Sequence, residues 1–279
     1  MSYRIIVDSC GELTQEMKDS GNFETASLEI QVGDHHIIDD ETFDQAQFLK
    51  YVAEEPECPR SSCPSPERYM TKYHCDADRV YAVTLSAELS GSYNSAVVGK
   101  NLYHEEYGEK PIYVFNSRSA SVGETLIGLK IQECEEKGMS FEEVIQTVET
   151  YIDSQHTYFV LETLDALRKN GRLTGIKAFV ADALNIKPIM ASTPEGNICQ
   201  LSQARGMKKA LNKMVEAIKE NVVDPANKIL AISHCNCLKR AEYVKEILLK
   251  DTSFQKVIIL DTQGISSLYA SDGGIIVVV

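Results

Sequence analysis

Short β-branched runs alternate with longer amphipathic stretches through the first half of the chain, and each run ends in small polar residues. Tyr3–Val7 (YRIIV) runs into Asp8-Ser9-Cys10-Gly11 and then ELTQEMKDSG. Arg79–Leu85 (RVYAVTL) runs into Ser86-Ala87-Glu88-Leu89-Ser90-Gly91-Ser92, followed by YNSAVVGKNLYHEEYG. Pro111–Phe115 (PIYVF) runs into Asn116-Ser117-Arg118-Ser119-Ala120-Ser121, followed by VGETLIGLKIQECEEKG. This alternation predicts βαβ units and a parallel sheet. The loops then all emerge at the carboxyl ends of the strands, where open α/β sheets bind ligands. Ser, Asp and Asn at those positions also suit helix N-caps.

The texture changes near residue 155. TYFVLETLDALRKNGRLTG reads as a strand and a helix that ends on Asn170-Gly171, a good C-cap. IKAFVADALNIKPIMAST reads as an apolar helix running into a Pro-interrupted strand, and PEGNICQLSQA as a hairpin turn with a following strand. RGMKKALNKMVEAIKENV is an amphipathic helix, and strand KILAISHCN, helix LKRAEYVKEILLK and strand KVIILDT complete the pattern. The fold class predicted is α/β, as two α/β domains. Residues 1–154 carry a parallel sheet of βαβ units, and residues 155–279 form a mixed-sheet domain, with the boundary near YIDSQHTY.

Composition narrows the function classes. The 279 residues are 43% hydrophobic and 25% charged, so a sizeable core is available. A formal net charge of −13 argues against nucleic acid or an anionic membrane surface as partner, because both demand basic patches. The N-terminal MSYRIIVDSC turns polar after one short apolar run, unlike a signal peptide, and GGIIVVV is too short to span a bilayer. No stable membrane insertion is expected. Eight scattered cysteines without a C-x-x-C pair read as free thiols in a reducing compartment, which predicts a cytoplasmic protein.

The common catalytic signatures are missing: there is no G-x-S-x-G elbow, no Walker loop and no G-x-G-x-x-G. His104-Glu105-Glu106-Tyr107-Gly108 begins like a zinc-protease helix but has Gly where the second His must stand. His234-Cys235-Asn236-Cys237 lacks a second half at ligating distance, and His35-His36 reads as a solvated polar turn. No metal site, cofactor or catalytic residue is predicted.

Two hydroxyl-rich loops remain. Arg60-Ser61-Ser62-Cys63-Pro64-Ser65-Pro66 is stiffened by prolines and offers hydroxyl donors. Ser90-Gly91-Ser92 stands at the start of a helix, where glycine admits close approach to the backbone and the helix end favours negative charge. Neither loop carries a His or Asp to activate a nucleophile, so they point to anion holding and not acyl transfer. Arg172 in KNGRLTG and Arg205 in SQARG flank turns, where a guanidinium reaches a carboxylate or phosphate. The competing reading is an enzyme acting on an acyl or phospho-ester through Ser90 or Ser92.

These segments together resemble the DegV family of bacterial fatty-acid-binding proteins. IVDSCGEL is similar to its Asp-Ser opening, SSCPSP to its Thr-Ser-x-Pro-Ser-Pro loop, and LSAELSGSYNSA to its Ser-Gly-Thr-Tyr-x-Ser-Ala segment. LDALRKNGRLTG is similar to its Gly-Gly-Arg element and LNIKPIM to its Ile-Lys-Pro-Ile. The resemblance implies a long-chain fatty acid buried in two α/β domains, its carboxylate held by Ser61, Ser62, Ser90, Gly91 and Ser92. It places Arg172 and Arg205 near the carboxylate or a kinase-facing surface, and implies a non-catalytic carrier that presents the acid to a separate fatty acid kinase. Three positions depart from the pattern: Ser61 replaces Thr, Asn170 replaces the first Gly, and Ala270-Ser271-Asp272-Gly273-Gly274 stands where the family has His-Thr-Gly-Pro-Gly.

Overall fold

The computed structural model describes residues 1–173 and 185–279. In chain order its elements are β1 (Tyr3–Asp8), α1 (Gln15–Asp19), β2 (Phe23–Ala26), β3 (Glu29–Val32), β4 (His35–Ile38), α2 (Gln45–Glu54), β5 (Arg60–Ser62), α3 (Pro66–Tyr73), β6 (Arg79–Thr84), α4 (Ser92–Tyr107), β7 (Ile112–Asn116), α5 (Val122–Glu136) and α6 (Phe141–Asp153). There follow β8 (Thr157–Val160), α7 (Asp165–Lys169), β9 (Ile186–Ser192), β10 (Ile198–Arg205), α8 (Met207–Asn221), β11 (Ile229–His234), α9 (Leu238–Leu249), β12 (Lys256–Asp261), α10 (Gly264–Ala270) and β13 (Ile275–Val278). The apolar helix expected ahead of β9 falls mostly outside the described residues.

Strands β2-β1-β6-β7 form a four-stranded, all-parallel sheet. Ile5, Val7, Tyr81, Val83 and Phe115 bury one of its faces, and Ile6, Val80, Ala82 and Val114 bury the other. Burial on both faces explains why these strands read as unbroken apolar runs. A six-stranded mixed sheet runs β10-β9-β8-β13-β11-β12, parallel at β11–β12 and antiparallel at its other pairings. The C-terminal β13 is inserted between β8 and β11, so the last residues of the chain are core.

A third sheet, β4-β3-β5, is antiparallel and revises two local readings. His35 and His36 are exposed as expected, yet they belong to a strand: His35 stacks on Tyr51 with ring centroids 3.7 Å apart, and His36 Nε2 lies 3.1 Å from Glu29. Arg60-Ser61-Ser62 is the edge strand β5, with Ser61 opposite Ile30. The prolines that follow it hand over to α3, where Ser65 caps the helix by accepting from Arg68 N–H and Pro66 fills the first turn.

Helix α5 joins the two larger sheets. Every residue from Val122 to Gly128 is buried. Ile127 and Ile131 pack on the parallel sheet, whereas Val122 and Leu126 pack against Ala231, Ile258 and Val278 of the mixed sheet. The first two turns of α5 are thus buried on every side between the two sheets, Glu124 and Thr125 included.

Candidate functional site

Because the first sheet is parallel, the loops after β1, β6 and β7 share one edge, and the mixed sheet lies across from them. Between them is a cavity whose walls are predominantly apolar, with a few polar side chains among its lining, the composition common to small-molecule sites. Cys10, Leu85 and Leu89 line it from the first half; Phe159, Leu161 and Ile276 line it from the second. Strand β8 is buried on both faces: Tyr158 and Val160 pack with α8, while Thr157, Phe159 and the following Leu161 turn toward the cavity.

Arg172 and Tyr269 stand together in the lining. Ser61 Oγ and Tyr269 OH share a hydrogen bond of 2.9 Å. The Arg172 guanidinium lies 5.7 Å from the centre of the Tyr269 ring, and its Nε donates to the Leu89 carbonyl at 3.1 Å. A second bond runs from Arg172 Nη1 to the Asn170 carbonyl. Ser61 and Arg172, which are 111 positions apart by their numbers, are thus brought together on a residue that sequence reasoning missed. Tyr269 sits in a short helix of mixed small and apolar residues, and no local pattern marks it. Burial raises its phenol above the ordinary value, with the Ser61 bond opposing.

The other expected ligand residues are distributed differently. Ser62 points outward from the edge strand and is exposed. Ser90 Oγ accepts from Ser92 N–H at 3.2 Å, so it closes the turn into α4. Gly91 is exposed and backs onto Cys63, whose Sγ would stand 3.2 Å from an added Cβ. Ser92 is fully buried, and its Oγ donates to Asp8 Oδ2 at 2.6 Å while sharing a 2.7 Å bond with Tyr69 OH. That hydroxyl is committed to the interior, which also removes it as an accessible nucleophile. Arg205 ends β10, is exposed and is not among the residues lining the cavity.

Beneath the cavity floor lies a group of carboxyls. Asp8 accepts from Cys10 N–H, Leu85 N–H and Ser92 Oγ. Burial raises its pKa and these bonds oppose the rise. Glu12 accepts from Ser121 Oγ at 3.0 and 2.8 Å, and burial pushes it up to about 7. Asp39 is pushed up to about 6 by burial, against the Gly264 and Ile265 N–H groups it receives at the start of α10. Glu124 is fully buried, and neither of its carboxyl oxygens has a hydrogen-bond partner among the described residues. Burial first, then the neighbouring Asp8, drives it well above the ordinary carboxylate range. None of these groups meets a cation there, and among the described residues no cluster of His, Cys, Asp or Glu has metal-binding geometry. His234 and Cys237 are instead joined by a Cys237 N–H to Nδ1 bond, with Asp261 at 3.2 Å from the same nitrogen. All eight cysteines are free thiols. Among the described residues no helix is long and apolar enough to cross a membrane.

The whole chain has relatives. A family model described as an uncharacterised protein family, DegV, matches residues 2–279. A DegV domain-containing protein of Streptococcus gordonii is 33% identical over 279 residues, covering 99% of this chain and 98% of that one. The crystal structure of a DegV-family protein from Ruminococcus gnavus, refined with vaccenic acid, is 64% identical with a TM-score of 0.98, covering 100% of both chains. The Streptococcus pneumoniae fatty acid kinase (Fak) B3 protein loaded with linoleic acid is 30% identical with a TM-score of 0.89, covering 100% of this chain and 99% of that one. A DegV-family protein from Eubacterium eligens loaded with heptadecanoic acid is 25% identical with a TM-score of 0.90, over 99% of each chain. The chain belongs to the DegV family.

Proposed function

We propose that this DegV protein is a non-catalytic carrier of a long-chain fatty acid, which it presents to a separate fatty acid kinase. The observation that carries the reading is a mostly apolar cavity lined by Tyr269 and Arg172, with Ser61 joined to it through its bond to the Tyr269 hydroxyl. The carboxylate sits there, met by the Ser61 and Tyr269 hydroxyls and by the Arg172 guanidinium. Charge-assisted hydrogen bonds of this kind are stronger than neutral ones. Ser90 and Gly91 shape the neighbouring turn, Ser62 and Arg205 face outward where a partner docks, and Ser92 holds the turn from beneath. Residues 1–154 and 155–279 act as two units with the acyl chain between them. The site needs no cofactor, and the protein works in the cytoplasm.

Burial of the chain supplies the affinity. At about 0.8 kcal/mol per methylene, a palmitate-sized ligand contributes on the order of 10 kcal/mol before ordering costs. The hydroxyls then fix orientation. The relatives of known structure carry vaccenic, linoleic and heptadecanoic acids, which supports the ligand class. The test is native mass spectrometry of the purified protein, lipid identification after denaturation, and titration of Ser61→Ala/Ser90→Ala with fatty acid. A co-purified or exchangeable long-chain acid, bound more weakly by the folded double variant, is expected. Unchanged affinity removes the carboxylate assignment, and no uptake by the parent protein removes the carrier reading.

A further inference from the structure

Away from Tyr269 and Arg172 the cavity is lined by the hydroxyls of Ser119, Thr157 and Ser192, with Arg118, Gly196 and Asn197 beside them, in a rigid frame. Thr157, Phe159 and Leu161 alternate along the cavity wall, which at about 3.3 Å per residue makes the wall about 13 Å long. Leu161 marks the Arg172 end, since it packs with Leu167 and Ala270, and Tyr269 lies against the same cluster. Thr157 marks the other end. The pairing Tyr158↔Ala191 and Phe159↔Met190 sets Thr157 beside Ser192, and Thr157 N–H donates to Ser192 Oγ at 3.4 Å. Ser119 closes the corner from the opposite side, its Oγ sharing a 2.6 Å bond with Thr157 Oγ1. All three residues line the cavity.

We infer that Ser119, Thr157 and Ser192 form a hydrogen-bonded cap that sets the longest acyl chain the protein accepts; this rests on the fatty-acid reading above. What makes the cap a ruler is its stiffness. Ser119 N–H donates to Ser117 Oγ at 3.1 Å, and Ser117 Oγ donates back to the Ser119 carbonyl at 3.1 Å. The flanking Arg118 and Ser121 have φ of 50° and 58°, a left-handed backbone that non-glycine residues hold only where the fold imposes it. Arg118 staples the loop outward, Nη2 donating to Asp153 Oδ1 at 2.7 Å and Nη1 to the Pro194 carbonyl at 3.4 Å. The turn between β9 and β10 presses on the same loop: a Cβ on Gly196 would stand 2.8 Å from Arg118 Cα.

A methyl end that stops short of this cap keeps its apolar contacts. One more methylene must part the Ser119–Thr157 bond and leave buried hydroxyls without partners, a cost an apolar and flexible wall would not impose. Chain length is therefore cut off sharply, whereas shorter acids lose affinity gradually.

The experiment is competition for the protein among equimolar straight-chain saturated acids from lauric to arachidic, read by native mass spectrometry. Thr157→Leu and Ser192→Leu are expected to move the preferred acid to shorter chains. Ser119→Ala/Thr157→Ala is expected to admit longer ones, with relative occupancy changing about fourfold per methylene. Ser192 is only partly buried, so its variant keeps the test decisive if Thr157→Leu does not fold. An unchanged chain-length profile in folded Ser192→Leu and in the double alanine variant overturns the cap while leaving the carrier reading intact. A parent protein that takes up none of the acids overturns both.

Discussion

Replacing Glu12 by Gln should stabilise the protein at alkaline pH and do little at acid pH. Glu12 is 1% exposed, and its carboxyl receives the Ser121 hydroxyl, which also shares a 2.6 Å bond with Ser233. The titratable groups that feel its charge are Glu124 and the Cys10 thiol, both raised chiefly by burial. Burial displaces Glu12 from its ordinary 4.5 to about 7. A raised acid binds its proton more tightly in the folded state, so its favourable contribution is full below the unfolded value. That contribution fades as pH rises and is lost above the folded one. At about 1.4 kcal/mol per pH unit, the loss is about 3 kcal/mol by about pH 8.5. Gln keeps an acceptor for Ser121 and carries no charge to desolvate. Thermal unfolding followed by circular dichroism at matched ionic strength gives the answer. The variant and the parent should melt together near about pH 5, and the variant should melt on the order of 5 °C higher near about pH 8.5. A difference of the same size and sign at both pH values would refute the reasoning, because a purely steric effect has no pH dependence.

Tyr269→Phe keeps the ring beneath Arg172 and removes only the hydroxyl bonded to Ser61. Fatty-acid affinity by isothermal titration should fall about fivefold to tenfold with the melting temperature nearly unchanged. Gly196→Ala places a Cβ 2.3 Å from Ser86 Oγ at a φ of +95°, and chemical denaturation should register a loss of about 2–3 kcal/mol. Leu126→Ala opens a void between the two large sheets where Leu126 is 1% exposed, and the same assay should register about 2–5 kcal/mol.

Three strands of the parallel sheet, β1, β6 and β7, were legible because they are apolar on both faces and each ends in a cluster of Ser, Asn or Asp; β2, with Glu24 and Thr25 at its centre, gave no such run. That pattern also located the edge where the cavity opens. The mixed sheet was legible only as a set of strands. Its order depends on β13 entering between β8 and β11, and the pairing with β8 spans more than a hundred positions, which no periodicity records. Ser61 read as loop because prolines follow it closely, yet three residues suffice for an edge strand once β3 offers its backbone groups. Ser92 was grouped with Ser90 and Gly91 because together they open a helix whose end favours negative charge; its hydroxyl bonds inward to Asp8 at the end of β1. Tyr269 escaped notice because its partners Ser61 and Arg172 lie in distant segments, and a lone tyrosine in a seven-residue helix carries no positional signal.

Helix α5 has a consequence for how the molecule comes apart. Its first two turns have no face turned to water, and the apolar surfaces they cover belong to both large sheets. Neither half keeps a closed core once the helix leaves it. Unfolding of one sheet exposes α5 and with it the other, so the two melt as one cooperative event. Separated fragments would each display an apolar scar that drives them to reassociate or to aggregate. Swinging the two sheets apart as rigid bodies would likewise unpack their common helix.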